Sequence, residues 1–213
     1  MVKEYSKYQD GEKNLSEHFK VKEFACYDGT DKILIENDLI YAIERFREYV
    51  ENPVEINSAY RTASYNKQIG GATNSYHIYG RAFDVQFSYY WNYLDTIEKM
   101  ACFFNTIGMR GIIKYSWGCH IDNRDTSYHA NSNGKYYTFG KVNIPIYESM
   151  KIGDSNNNVG LLQFILKYKF GYEIDVDGKF GNQTENIVKD FQNLMHIGVD
   201  GIVYTETWLK LIA

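Results

Sequence analysis

With 213 residues, 44% hydrophobic and 23% charged side chains and a net charge of −4, the chain has room for one large domain or two modest ones, each with a real core. The mild negative charge argues against nucleic acid and against insertion at an anionic membrane, and no apolar run approaches the ~20 residues of a membrane span. Three scattered cysteines (Cys26, Cys102, Cys119) suggest no disulfide framework, and the polar start MVKEYSKYQDGEKN shows no signal peptide, so synthesis in a reducing cytoplasm is expected.

Twenty tyrosines and twelve phenylalanines against two prolines admit two explanations. Surface aromatics could stack on sugars or peptides, or an AT-rich genome could simply favour Tyr, Lys, Asn and Ile; the second is the simpler. Residues 1–14 are expected to form a loose arm. Leu15–Phe24, LSEHFKVKEF, is expected to dock with its aromatics in the core, His18 being structural. Leu39, Ile43, Phe46 and Val50 recur at helical spacing, which predicts a helix over 33–51 ended by Pro53. Val54 and Ile56 then begin a strand, and Ser58–Thr62 leaves it carrying Arg61. A short helix over 62–69 stops at Gly70-Gly71.

The stretch Ser75–Val85, SYHIYGRAFDV, carries the most chemistry. It spaces His77 and Asp84 seven apart, an imidazole and a carboxylate of the kind zinc accepts in hydrolytic sites. Gly80 allows a tight turn, after which Phe83, Val85 and Phe87 alternate with Ala82, Asp84 and Gln86. Asp84 therefore faces away from the apolar side, toward a cleft. A third ligand must come from elsewhere, and His120 in WGCHIDNR is the best candidate. Alternation puts Cys119 and Ile121 inward and His120 with Asp122 on the opposite face, so two strands would form a pocket floor. Calcium or magnesium suits two imidazoles poorly.

Leu94, Ile97, Ala101 and Phe104 predict a helix ending near Gly108, with Cys102 a small buried hydrophobe. Ile112-Ile113 and Cys119–Asp122 predict a hairpin turning over Tyr115–Gly118, and Asn133-Gly134 signals another. His129 is a spare histidine, expected outside the site. Residues 151–158 are polar and linker-like. Beyond them, three helices are expected around Val159–Leu166, Ile187–Leu194 and Thr207–Leu211. Val176-Asp177-Gly178…Thr184 and Val199-Asp200-Gly201…Thr207 form an internal repeat whose Asp-Gly pairs turn before a helix.

The run S-x-H-x-x-G-x-A-x-D over 75–84, the later H-I-D-x-R, and the upstream SAYRTASYNKQIGGATNS resemble the M15 zinc peptidases, the D-Ala-D-Ala carboxypeptidases and phage endolysin peptidases. The resemblance spans roughly 15–137. It implies His77, Asp84 and His120 as Zn2+ ligands, Arg61 as the cation that grips substrate oxygens, and Ser75 beside it in substrate binding. Leu162-Gln163, Asp177–Thr184, Phe191-Gln192 and Asp200–Trp208 resemble the peptidoglycan-binding domain type 1; Tyr204 stands where that family usually has glycine, which puts the second turn's geometry in question.

One departure bears on mechanism. Some M15 members carry a histidine two residues before the last ligand and others a glutamate three before it; here those positions are Gly118 and Trp117. Asp122 is the nearest replacement, either as the general acid/base or as a carboxylate orienting His120; Glu17 and Glu23 stay open. The expectation is an α+β chain. Residues 1–147 form a zinc peptidase domain with a small antiparallel sheet and flanking helices, and 151–213 a three-helix wall-binding bundle. The expected function is endolysin-like hydrolysis of peptidoglycan stem-peptide amides, by an enzyme held in the host cytoplasm until lysis. The alternatives are a non-catalytic, zinc-holding wall-binding protein and a hedgehog-like zinc-holding domain.

Overall fold

The computed structural model describes residues 1–86, 97–126, 128–131, 136–137 and 149–212. Two units divide the chain: Met1–Trp91 with Gly108–Thr138, and Asn92–Ile107 with Phe139–Ala213. The architecture is α+β.

In the first unit the N-terminus is not a loose arm. β1 (Val2–Ser6) pairs antiparallel with β2 (Lys32–Glu36), in register from Val2↔Glu36 to Ser6↔Lys32. β2 occupies the start of the stretch predicted as helix. Ile33 and Ile35 alternate inward and are fully buried, so a strand partner from far away in sequence overrides the helical reading there. A short helix, α1 (Lys7–Asp10), follows β1, with Ser6 Oγ accepting from Gln9 N at 3.0 Å. Phe19, Val21 and Phe24 plug the core as expected. α2 (Asn37–Val50) buries Leu39, Ile43, Phe46 and Val50 and ends at Glu51, whose φ of 51° is left-handed.

A six-stranded sheet carries the predicted strands. β3 (Ile56–Ser58), β4 (Ala82–Gln86), β5 (Gly111–Lys114), β6 (Gly118–Asp122), β7 (Tyr128–Asn131) and β8 (Tyr136–Tyr137) lie in the order β3-β4-β6-β5-β7-β8. Every pairing is antiparallel except β5 with β7. The predicted β5–β6 hairpin forms, closed by Tyr115 N donating to Gly118 O at 2.8 Å. The Asn133-Gly134 turn lies outside the described residues. Phe83, Val85, Cys119 and Ile121 are fully buried, as the alternation predicted. Between β3 and β4, helix α3 (Ala63–Gln68) is capped by Thr62 Oγ1, which accepts from Tyr65 N.

The second unit contains α4 (Ile97–Thr106), α5 (Asn157–Phe170), α6 (Asn182–Leu194) and α7 (Thr205–Ile212). α5 is buried at every position from Val159 to Leu166, the mark of a helix covered all round. α4 supplies part of that cover: Phe103 stacks on Phe164, ring centroids 4.1 Å apart and planes at 25°. The stretch expected as a linker is stitched to this unit. Met150 and Val203 exchange both backbone hydrogen bonds, Phe180 N donates to Asp154 O, and Asn156 Oδ1 caps α5. No described helix is long and apolar enough to cross a membrane.

The two Asp-Gly turns are built alike. Gln163 Nε2 donates to Asp177 Oδ1, Lys179 O and Thr184 Oγ1, while its Oε1 accepts from Gly178 N. Gln192 repeats this with Asp200 Oδ1, Ile202 O, Thr207 Oγ1 and Gly201 N. Tyr204 leaves the second turn's geometry intact.

Candidate functional site

β4 and β6 bring Asp84 and His120 directly opposite one another in an antiparallel pair, on the same face of the sheet. His77 arrives from the single 3-10 turn Tyr76–Tyr79 between α3 and β4. That turn ends at Gly80, with φ of +67°, where a Cβ would lie 2.4 Å from the Leu34 carbonyl oxygen. Only glycine satisfies both the left-handed backbone and the close approach.

The three side chains converge on a small triangle. His77 Nε2 lies 3.1 Å from Asp84 Oδ1 and 3.0 Å from His120 Nδ1, and His120 Nδ1 lies 2.8 Å from Asp84 Oδ1. Each donor's second polar atom is already engaged. His77 Nδ1 donates to Ala59 O at 2.6 Å, His120 Nε2 meets Asp122 Oδ2 at 3.0 Å, and Asp84 Oδ2 accepts from Arg61 Nη2 at 2.5 Å. Tetrahedral zinc with bonds of about 2.0–2.1 Å holds its donors roughly 3.3 Å apart, so the triangle fits it after an outward adjustment of a few tenths of an ångström. Two imidazoles and one carboxylate, oriented from behind, are a zinc-type donor set.

Burial alone would neutralise these groups, and their contacts decide the outcome. Burial tends to raise the Asp84 carboxyl, but the hydrogen bond and positive charge of His120 hold it far below the usual carboxylate range. Burial pushes His77 down, so its imidazole is neutral. Burial also disfavours charge on His120, yet its bonds to Asp122 and Asp84 raise it to about 9. A bound cation would take the place of that proton between the same groups.

Asp122 is fully buried and does not border the cleft. Its carboxylate lies behind His120 and is gripped by Arg124 through Nε at 2.8 Å, through Nη2, and through the Arg124 backbone N–H at 3.1 Å. Arg124 lies over the rings of Tyr128 and Tyr76, at 4.4 and 5.2 Å from their centroids.

The triad opens into a cleft of about 660 Å³. Arg61 lines it, with Nε donating to Ser58 Oγ at 2.8 Å. Two of its five N–H groups are thus directed at Ser58 and Asp84. Ser75 lines the cleft beside His77. Glu17 and Glu23 do not: Glu23 Oε1 caps the turn Val21–Phe24 by accepting from Lys20 N, and Glu17 stands with His18 and Glu44. In that second grouping Glu44 is engaged, accepting from Ser16 Oγ at 2.5 Å and bonding His18 Nδ1 at 2.6 Å. The His129 side chain lies outside the described residues. Sequence reasoning missed Arg124, Tyr76, Tyr115, Trp117 and Tyr128 as cleft residues. Arg124 had a signal, as the last letter of H-I-D-x-R; the aromatics had none beyond proximity to the motif.

Two family models match the chain: peptidase M15 over residues 16–122, and a peptidoglycan binding domain over 155–211. Among solved structures, a peptidoglycan-binding protein from Clostridioides difficile in complex with glutamine hydroxamate is 28% identical over 36% of this chain and 44% of its own, with a TM-score of 0.30. A fused Zn-dependent amidase/peptidase/peptidoglycan-binding domain-containing protein from Clostridium acetobutylicum is 38% identical over 31% of this chain and 29% of its own, also at 0.30. The matches thus span less than half the length of either structure. No match was found among curated proteins.

Proposed function

The chain belongs to the peptidase M15 family and joins that domain to a peptidoglycan-binding one, and on this premise we propose that it hydrolyses amide bonds in peptidoglycan stem peptides as an endolysin-like zinc peptidase. The observation that carries the reading is the triangle of His77 Nε2, Asp84 Oδ1 and His120 Nδ1 at the floor of an open cleft. The proposed division of labour gives catalysis to residues 1–147 and wall attachment to 151–213. Attachment to an insoluble polymer raises the local concentration of cleavable bonds, and linked sites typically gain ~10²–10⁴ in avidity. In an endolysin-like life cycle the protein waits in the cytoplasm and meets the wall at lysis.

Bound by the triad, zinc would supply Lewis-acid polarisation of the scissile carbonyl and acidify a water. The remaining work belongs to the chain. Ala59 O fixes the His77 tautomer, so Nε2 presents its lone pair inward. Asp122, held by Arg124, does the same for His120 through Nε2. Being buried behind the ring, Asp122 is assigned here to orienting His120 rather than to carrying protons. Arg61 fixes Asp84 and offers its remaining N–H groups to a carbonyl or carboxylate oxygen of the substrate. Ser75 lies on the same wall, within the proposed substrate-binding surface.

One observation favours a second reading, a zinc-holding wall-binding protein without turnover. Beyond the triad, the described cleft residues include no carboxylate or imidazole to move a proton. Turbidity loss of purified walls decides between the two, with metal content measured in wild type and His120→Ala. Wall clearing with new amino termini, no new reducing sugars, and loss of both metal and clearing in His120→Ala supports the peptidase. Zinc-loaded protein that binds walls and releases nothing supports the second reading.

A further inference from the structure

The β5–β6 hairpin presents an aromatic surface to the cleft that neither the metal triad nor the sheet requires. Tyr115 and Trp117 stack with centroids 5.0 Å apart and planes only 9° from parallel, and both line the cleft that holds the triad. Trp117 is 42% exposed, so a large part of its indole meets solvent. A ring pair that merely stapled the hairpin would bury its free face. An exposed tryptophan inside a functional cleft is instead a surface awaiting a ligand.

We propose that the Tyr115–Trp117 pair is a sugar subsite that stacks an N-acetylhexosamine ring of the glycan strand while the attached peptide reaches the triad. The inference rests on the peptidoglycan reading above and narrows its substrate to glycan-linked stem peptides rather than free ones. Three features select a pyranose. Tyr115 backs the indole by stacking on it, so the exposed Trp117 presents one flat, supported face, which matches the C–H face of a sugar and not the rounded volume of an aliphatic side chain. Among the described residues, Ala72 and Ile113 alone bring aliphatic side chains to the cleft, so an apolar peptide group finds little apolar enclosure there. Asn74 and Ser75 stand among the polar lining residues and can hydrogen-bond ring hydroxyls or the acetamido group.

The test must see Trp117 itself, because the second unit contains a peptidoglycan-binding domain of its own. The sequence has three tryptophans, Trp91, Trp117 and Trp208. The full chain labelled with 5-fluorotryptophan is titrated with the N-acetylglucosamine trimer and, separately, with free lysine; Trp117→Phe assigns the resonance. The expected result is a saturable shift of the Trp117 signal with the trimer and none with lysine. A Trp117 signal unmoved by the trimer overturns the proposal, as does one moved by lysine, which would make the platform a cation site. In parallel, kcat/KM is compared for a disaccharide-linked and a free stem peptide. Wild type should prefer the linked substrate, and Trp117→Ala should lower that preference about tenfold, the size of one aromatic stacking contact. An unchanged preference overturns the subsite. If neither substrate is cut, the peptidase reading fails while the fluorine titration still decides the sugar site.

Discussion

Gly111 has no room for a side chain, because a Cβ there would lie 2.1 Å from Asp122 Oδ1. The carboxylate that orients His120 fits only because its cross-strand partner on β5 is glycine. Gly111→Ala should therefore displace Asp122 and loosen His120 without touching the cleft. The expected outcome is a fall in zinc affinity of about 10–100-fold, read by competition with a chelator, and matched by Asp122→Asn. A variant that keeps wild-type affinity would show that His120 needs no support from behind. Away from the cleft, Glu44 is a buried carboxylate. Burial tends to raise its carboxyl, but bonds from Ser16 and His18 bring it below the usual range. A carboxyl lowered on folding stabilises the fold above its unfolded pKa, and the contribution disappears as pH falls through the folded value. Glu44→Gln should cost about 1–3 kcal/mol at neutral pH and flatten the loss of stability on acidification, measured by denaturant titration across pH.

At the scale of elements, β4 does more than its five residues suggest. It pairs with β3 on one side and β6 on the other, so Asp84 stands in the interior of the sheet, facing His120. The repeat in the second unit shows the same economy. One buried glutamine from the preceding helix pins each Asp-Gly turn, its own amide satisfied by the turn's N–H and the Asp carboxylate. Gln163→Leu and Gln192→Leu should each destabilise this unit by about 1–3 kcal/mol, read by chemical denaturation, because an apolar isostere leaves the glycine N–H of the turn without its acceptor. Equal stability in both variants would mean that water replaces the amide.

On the scale of the whole molecule, sequence order and packing divide the chain differently. α4 lies within the stretch matched by the peptidase model, yet it packs against α5, and Phe103 stacks on Phe164. A fragment comprising residues 1–147 would carry α4 without α5. It should be less soluble and melt lower than the intact chain, and Phe164→Ala in the full chain should cost about 3–5 kcal/mol. A fragment as stable as the full chain would show that α4 finds adequate cover elsewhere.

What the sequence by itself determined is local. A period of two put Asp84 and His120 on the polar faces of their strands, Gly80 marked the turn after His77, and Asp-Gly pairs marked both turns of the second unit. These depend on the geometry of a few adjacent residues, which the chain specifies wherever it goes. Tertiary structure decided what distant segments do to one another. Only pairing with β1 made 32–36 a strand instead of the first turn of a helix, and only the β5–β7 pairing set Tyr128 beside Arg124. The position of Asp122 was half legible. Alternation put it on the face of His120, but its burial behind the ring depended on Arg124 and on the bare backbone of Gly111, contacts that no spacing along the chain encodes.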